Sequence, residues 1–333
     1  MPLPQFDPSG KPIPSGKRPK GTVATATVGE FLTNEEFFHG MRRAPRDHDL
    51  IPPLSVVEGY QLDVGSEFFD DTIKLFSKGY YSAYFGETGC GKTQLVKYLC
   101  AGAGIPLFQV QGHNELTWDD IVGRCVPSET SISGFAFEDG PLTIAIKLAQ
   151  TRRVCFLLDE AASVKQGLLN GLNELANGGD LTIDNQRGHQ VIRNTPNFQV
   201  IVTANPWDGY EGNNPLSMAF LRRFKVRQFE YMTADAEMSL LGDLYPAIPP
   251  RVIRNLVTFA NKSRAMKAKS DSVRYVVDLG TLKHVCDMIE GINTSPLQAV
   301  SDCVFGIVQL VALDELPALE EAAKQLLNNE KIR

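Results

Sequence analysis

A chain of 333 residues exceeds one minimal domain and suits a medium α/β domain followed by a smaller one. Apolar residues at 43% and charged residues at 22% are globular averages, and every apolar run is far too short to cross a bilayer, so a soluble protein is expected. A formal net charge of −6 argues against nucleic-acid binding over the whole surface, and six cysteines without a Cys-x-x-Cys pair argue against a metal or disulfide framework.

Residues 1–27, beginning MPLPQFDPSGKPIPSGKRPKG, are rich in Pro, Gly, Lys and Ser, a composition that buries too little apolar surface to offset the entropy of ordering. They read as a flexible tail whose Lys11, Lys17, Arg18 and Lys20 are either solvated or a docking arm for an acidic partner. The tail lacks the apolar centre of a secretion signal, which with the cysteine pattern predicts a reducing, cytosolic setting. Residues 28–64 read as an N-terminal extension, 65–232 as a nucleotide-binding α/β domain and 233–333 as a helical lid domain.

The stretch GSEFFDDTIKLFSK, from Gly65, has apolar residues at helical spacing and acids early, so a helix should lead into the next strand. That strand opens YYSAYFGETGCGKT, an apolar run ending in Gly-x-x-x-x-Gly-Lys-Thr, the pattern that wraps a nucleotide's phosphates in main-chain N–H groups. Gly86, Gly89 and Gly91 let the backbone curl closely, with Glu87, Thr88 and Cys90 as the intervening loop positions. Lys92 can reach the β/γ oxygens, and Thr93 can hold Mg²⁺ at the start of a helix. ATP binding and Mg-dependent hydrolysis are therefore expected.

Four further β-rich runs follow: PLFQVQG, RVCFLLDE, FQVIVTANP and VRQFEY. Their near-continuous hydrophobicity, with helical segments between them, predicts an α/β fold with a five-stranded parallel sheet covered on both faces. RVCFLLDE delivers Asp159 and Glu160 at a strand's C-terminal end, where open α/β sheets position ligands. Asp159 should orient Mg²⁺ and Glu160 should polarise the attacking water. FQVIVTANP ends near Asn205, whose neutral amide could sense the γ-phosphate; the bland alternative is an Asx turn before Pro206. Arg222 and Arg223 form a basic pair before the last strand, and one of them could act as a finger on the nucleotide of a neighbouring subunit. Beyond Thr233 the pattern is helical throughout.

From about Phe68 onward the chain resembles the MoxR branch of AAA+ ATPases, within it most the group containing the CbbQ, NorQ and GvpN proteins. The resemblance rests on GETGCGKT, ELTWDDIVGR, FAFEDGPLTIAI, NTPNFQVIVTANP and AFLRRF. It implies a P-loop AAA+ core with two hairpin inserts, one around Ser131 to Phe137 near a ring's pore and one at LTIDNQRGHQVI. The second is independently supported by β-prone flanks around Asn185 and Gly188. It further implies a hexameric ring that remodels a client protein complex in a chaperone-like way, often with a partner carrying a von Willebrand A domain. Many relatives carry a second sensor arginine in the lid; here Asp278, Leu279, Gly280 and Thr281 occupy the stretch, leaving Arg274 or Lys283 as substitutes.

Among lesser signals, Phe135 and Phe137 are candidates for a pore contact, Trp118 and Trp207 for core packing or an exposed contact, and His113 with Asn114 for solvent or the nucleotide. Two other functions fit the same loop: a nucleic-acid translocase or restriction-type NTPase, disfavoured by the acidic balance, and an ATP-dependent scaffold or switch with little turnover.

Overall fold

Because parallel strands need both faces covered, the five apolar runs can be stable only with helices packed on either side. The computed structural model describes residues 5–6, 12–13, 50–53, 67–128, 134–185, 188–205, 216–269 and 275–328. These fall into two compact units, one of residues 5–6, 12–13, 50–53, 67–86 and Lys92–Gln228, the other of residues 229–328 with which the loop Glu87–Gly91 groups. Near the start of the chain, β1 (Gln5–Phe6) and β2 (Pro12–Ile13) form a short antiparallel pair.

In the first unit the order is α1 (Glu67–Ser77), β3 (Ser82–Phe85), α2 (Lys92–Ala103), β4 (Leu107–Gln111), α3 (Trp118–Val122), β5 (Gly123–Pro127) and β6 (Phe135–Asp139). It continues with α4 (Pro141–Leu148), β7 (Val154–Asp159), α5 (Gln166–Ala176), β8 (Leu181–Asn185), β9 (Gly188–Ile192), β10 (Phe198–Ala204), α6 (Met218–Leu221) and β11 (Lys225–Gln228). The sheet runs β11-β3-β10-β7-β4 and is parallel at every pairing, so the expected five-stranded parallel α/β fold is what forms. Every residue of β7 and β10 is buried, which explains why these two segments carry the most continuous hydrophobicity. Phe156 and Phe198 on these neighbouring strands meet with ring centroids 6.5 Å apart, and full burial of each such side chain contributes about 1.5–3 kcal/mol.

Two antiparallel hairpins leave the sheet unit. In β5–β6 Cys125 lies opposite Phe137, and Gly123 lies opposite Asp139. The resemblance placed this insert around Ser131 to Phe137; the paired strands are Gly123–Pro127 and Phe135–Asp139, and residues 129–133 lie outside the described residues. In β8–β9 Asn185 lies opposite Gly188, a two-residue connection of the kind expected from the sequence.

The second unit contains α7 (Ala234–Leu244), α8 (Pro250–Lys269), α9 (Leu279–Ile292), α10 (Pro296–Val300), α11 (Gly306–Val311) and α12 (Leu316–Leu327). Side chains cap these starts: Thr233 accepts from Ala236 N, Asp278 from Thr281 N at 2.7 Å, and Ser295 from Gln298 N with Pro296 next. The pattern PLQAVSDCVFGIVQL forms two helices joined by a π-helical turn over Ser301–Phe305. Leu256, Phe259, Leu282, Val285 and Val304 form the centre of this unit's own core.

Candidate active site

Parallel strands bring their C-terminal ends to one edge. Phe85 lies beside Ala204, and Gln111 beside Asp159, so Gly86, Gly112, Glu160 and Asn205 all emerge at that edge. Asp159 is the last residue of β7 and is buried, 7% exposed. Its Oδ1 accepts from the Thr93 hydroxyl at 2.7 Å and from the Thr203 hydroxyl, and its Oδ2 accepts from Gln109 Nε2 at 3.2 Å. A carboxylate only accepts, so three donors around it fix its orientation. Thr203 reaches it because Val202 pairs with Leu158, which sets the next residue of β10 beside the end of β7.

Glu160 follows at φ 55°, ψ 47°, in the left-handed region that costs a non-glycine residue roughly 1–3 kcal/mol. Its main-chain N–H donates to the Thr203 hydroxyl at 3.0 Å, its carbonyl accepts from Ser163 N at 2.9 Å, and its side chain is exposed. Gly112 closes against the same corner. Its N–H donates to the Asp159 carbonyl at 2.6 Å, and a β-carbon there would lie 2.5 Å from the Glu160 carbonyl oxygen. Only glycine permits that approach.

Lys92 begins α2 and is 8% exposed. Its ammonium donates to the Gly86 carbonyl at 2.8 Å and to Asn205 Oδ1 at 2.9 Å, so Lys92 and Asn205, placed separately by sequence, are hydrogen-bonded to each other. Thr93 occupies the first turn of α2, where main-chain N–H groups and the helix dipole favour an anion. Gly89 and Gly91 take φ of 77° and 87°, conformations that a β-carbon would strain.

Arg222 caps α6 and is exposed, whereas Arg223 is tied down within its own chain: its Nε donates to Asn177 Oδ1 at 2.6 Å and its guanidinium to the Ala219 carbonyl. Neither joins the hydrogen bonds around Asp159.

The AAA domain family (dynein-related subfamily) matches residues 85–224. CbbQ of Hydrogenophilus thermoluteolus is 28% identical over 202 residues, covering 59% of this chain and 72% of the relative. The denitrification regulatory protein NirQ of Pseudomonas aeruginosa is 30% identical over 191 residues, 57% of this chain and 66% of NirQ. NorQ of Paracoccus denitrificans is 28% identical over 187 residues, 55% of this chain and 64% of NorQ. Residues 85–224 carry an AAA domain, and across it the chain is similar to these MoxR-type AAA+ ATPases.

In this AAA domain the Thr93 hydroxyl and the Asp159 carboxylate are hard oxygen donors in direct contact, the chemistry Mg²⁺ requires when phosphate and water supply the remaining ligands. Among the described residues no group of three or more His, Cys, Asp or Glu could hold a metal by itself. Sequence reading missed Gln109, Gly112 and Thr203. Each left a trace, as a polar or glycine position interrupting or ending an apolar strand.

The lesser candidates separate cleanly. Phe135 is 47% exposed, while Phe137 is partly buried against the core. Trp118 packs so closely on α5 that a β-carbon at Gly171 would lie 2.3 Å from its ring. His113 and Asn114 are exposed. Lys283 is half-buried and burial pushes its ammonium below the usual lysine range. Ser131, Trp207 and Arg274 lie outside the described residues. Among the described residues no helix is long and apolar enough to cross a membrane.

Proposed function

We propose that this chain hydrolyses ATP with Mg²⁺ in a homohexameric ring and uses the turnover to remodel a client protein complex. The observation that carries the chemistry is the junction of Thr93, Asp159, Thr203 and Glu160, with Lys92 and Asn205 hydrogen-bonded at the same sheet edge. When bound, Mg²⁺ neutralises charge on the phosphate oxygens. Thr93 and Asp159 would hold it. Lys92 exchanges its Gly86 and Asn205 contacts for phosphate oxygens, and Asn205 orients the attacking water through its amide. Glu160, exposed beside the strand end, accepts the water's proton as oxygen attacks the γ-phosphorus. The bond to the β-phosphate oxygen breaks, giving ADP and phosphate.

A neighbouring subunit's arginine would stabilise the charge that develops during transfer. Arg222 suits this role better than Arg223, because Arg223 is already held by Asn177 and Ala219. The name of NirQ, a denitrification regulatory protein, supports action on another protein system; a client complex with a von Willebrand A-domain partner is the form of that action which the sequence resemblance implies. Six free thiols are in keeping with a reducing cytoplasm.

The test is phosphate release against protein concentration, with mass determined on the same samples. Release per chain that climbs as a six-fold mass forms, and that Arg222→Ala abolishes without loss of ATP binding, supports the ring. Equal turnover by a monomer contradicts it.

A further inference from the structure

Three consecutive residues of the phosphate loop are each engaged by a different side chain of the helical unit with which the loop groups. Lys267, on α8, forms a 2.7 Å ion pair with Glu87. Tyr231 donates its hydroxyl hydrogen to the Thr88 carbonyl at 3.2 Å. Asp278 lies against Gly89 so closely that a β-carbon at Gly89 would come within 2.3 Å of its Oδ2. The mount beneath these contacts is rigid. The Tyr231 ring carries the Arg264 guanidinium at 4.3 Å, and Arg264 is bound through two nitrogens to both oxygens of the buried Glu237 at 2.8 Å each. Asp278 is fixed as the N-cap of α9.

Lys267 differs from the other two in the strength of its hold. Tyr231 engages a main-chain carbonyl and Asp278 makes a packing contact, whereas Lys267 and Glu87 are opposite charges with side chains only 24% and 29% exposed. Partial withdrawal from water strengthens such a pair relative to a fully solvated one. Its location also matters, because the loop's main-chain N–H groups can cradle phosphate only in one curled conformation, and Gly89 and Gly91 by themselves leave the backbone many others.

We infer that Lys267 is a positioning residue for ATP binding: by holding Glu87 it fixes the phosphate loop in the conformation that receives the triphosphate. This rests on the ATP reading above. Lys267 need not touch the nucleotide.

The experiment measures the affinity of the full chain for a fluorescent ATP analogue with Mg²⁺, in native protein, Lys267→Glu, Glu87→Lys and the double exchange, each checked for folding by circular dichroism. Each single exchange should weaken binding about tenfold, and the double exchange should restore most of it. Lys267→Met, which keeps the chain length without charge, should weaken binding less than Lys267→Glu and covers the case in which a like-charge pair prevents folding. Lys267→Arg should bind as native does. Native binding with undiminished affinity in folded Lys267→Met and Lys267→Glu overturns the inference, as does a double exchange no better than the singles. A native chain that binds no ATP overturns the reading on which it rests, an outcome distinct from either.

Discussion

The Thr203 hydroxyl accepts the main-chain N–H of Glu160 at 3.0 Å while donating its own hydrogen to Asp159. One side chain thus fixes both acids at the end of β7, the one suited to Mg²⁺ and the one suited to activating water. Thr203→Val keeps the shape and removes both bonds. Turnover should fall by about 10–100-fold while ATP affinity changes less, as when the outer partner of a metal-site ligand is lost. Steady-state phosphate release with a parallel binding titration checks this.

Gly112→Ala probes the same corner from the other side. Its β-carbon would meet main-chain oxygens at 2.5 and 2.7 Å, which belong to Glu160 and Asp159 and have no side-chain freedom to yield. The backbone must shift, at a cost of about 1–3 kcal/mol, and the acids shift with it. Denaturant unfolding should register the loss, and hydrolysis should fall more than binding.

Glu237 and Arg264 are buried in the helical unit, with side chains 1% and 8% exposed. Removing one partner leaves a buried charge without its counter-charge. Arg264→Met should therefore lower stability by about 3–5 kcal/mol, measured by denaturant titration, whereas replacing both residues by apolar ones of similar volume should cost much less.

At the start of α3, hydrogen bonds from the Thr117 hydroxyl and N–H hold the Asp120 carboxyl below its ordinary 3.8. A group depressed on folding stabilises the protein above its unfolded value, and that contribution disappears as pH falls through the lower folded value. Thr117→Ala should cost about 1 kcal/mol near neutrality through loss of the cap. The difference between native protein and Asp120→Asn should narrow below pH 3.8, read from urea midpoints across the acid range.

Thiol chemistry should divide along burial. Cys100 is fully buried, and burial with a hydrogen bond to Cys155 pushes its thiol well above the usual range; burial pushes the Cys286 thiol up to about 12. Cys125 is exposed. A thiol reagent near neutral pH should modify Cys125 in the folded chain and reach Cys100, Cys155 and Cys286 only after unfolding, which peptide mapping would resolve.

The central strands β7 and β10 were legible because parallel strands buried on both faces must be apolar along their whole length, whereas β4 and β11, at the sheet's edges and partly exposed, carry a weaker mixed pattern. The placement of Gly86 and of Asp159 with Glu160 at the ends of apolar strands was legible because a glycine-rich turn and paired acids punctuate such strands in the sequence itself. Thr203, Gln109 and Gly112 were not, since their importance lies in which strand ends lie side by side, and strand order is a non-local property. The same holds for Lys267, which is 180 positions from Glu87 in the chain. The sequence pattern also ran two helices into one across Ser301–Phe305, where a π-helical turn keeps the apolar spacing nearly intact.

The central claim is that Glu160 activates water for ATP hydrolysis at a site assembled by Thr93, Asp159 and Thr203. Its most direct test is phosphate release by native protein and Glu160→Gln, with bound nucleotide measured in the same samples. Turnover in the native chain, at least about 100-fold lower in Glu160→Gln with ATP still retained, is the result expected. Hydrolysis by Glu160→Gln at the native rate, or native protein that binds ATP without ever releasing phosphate, would contradict it.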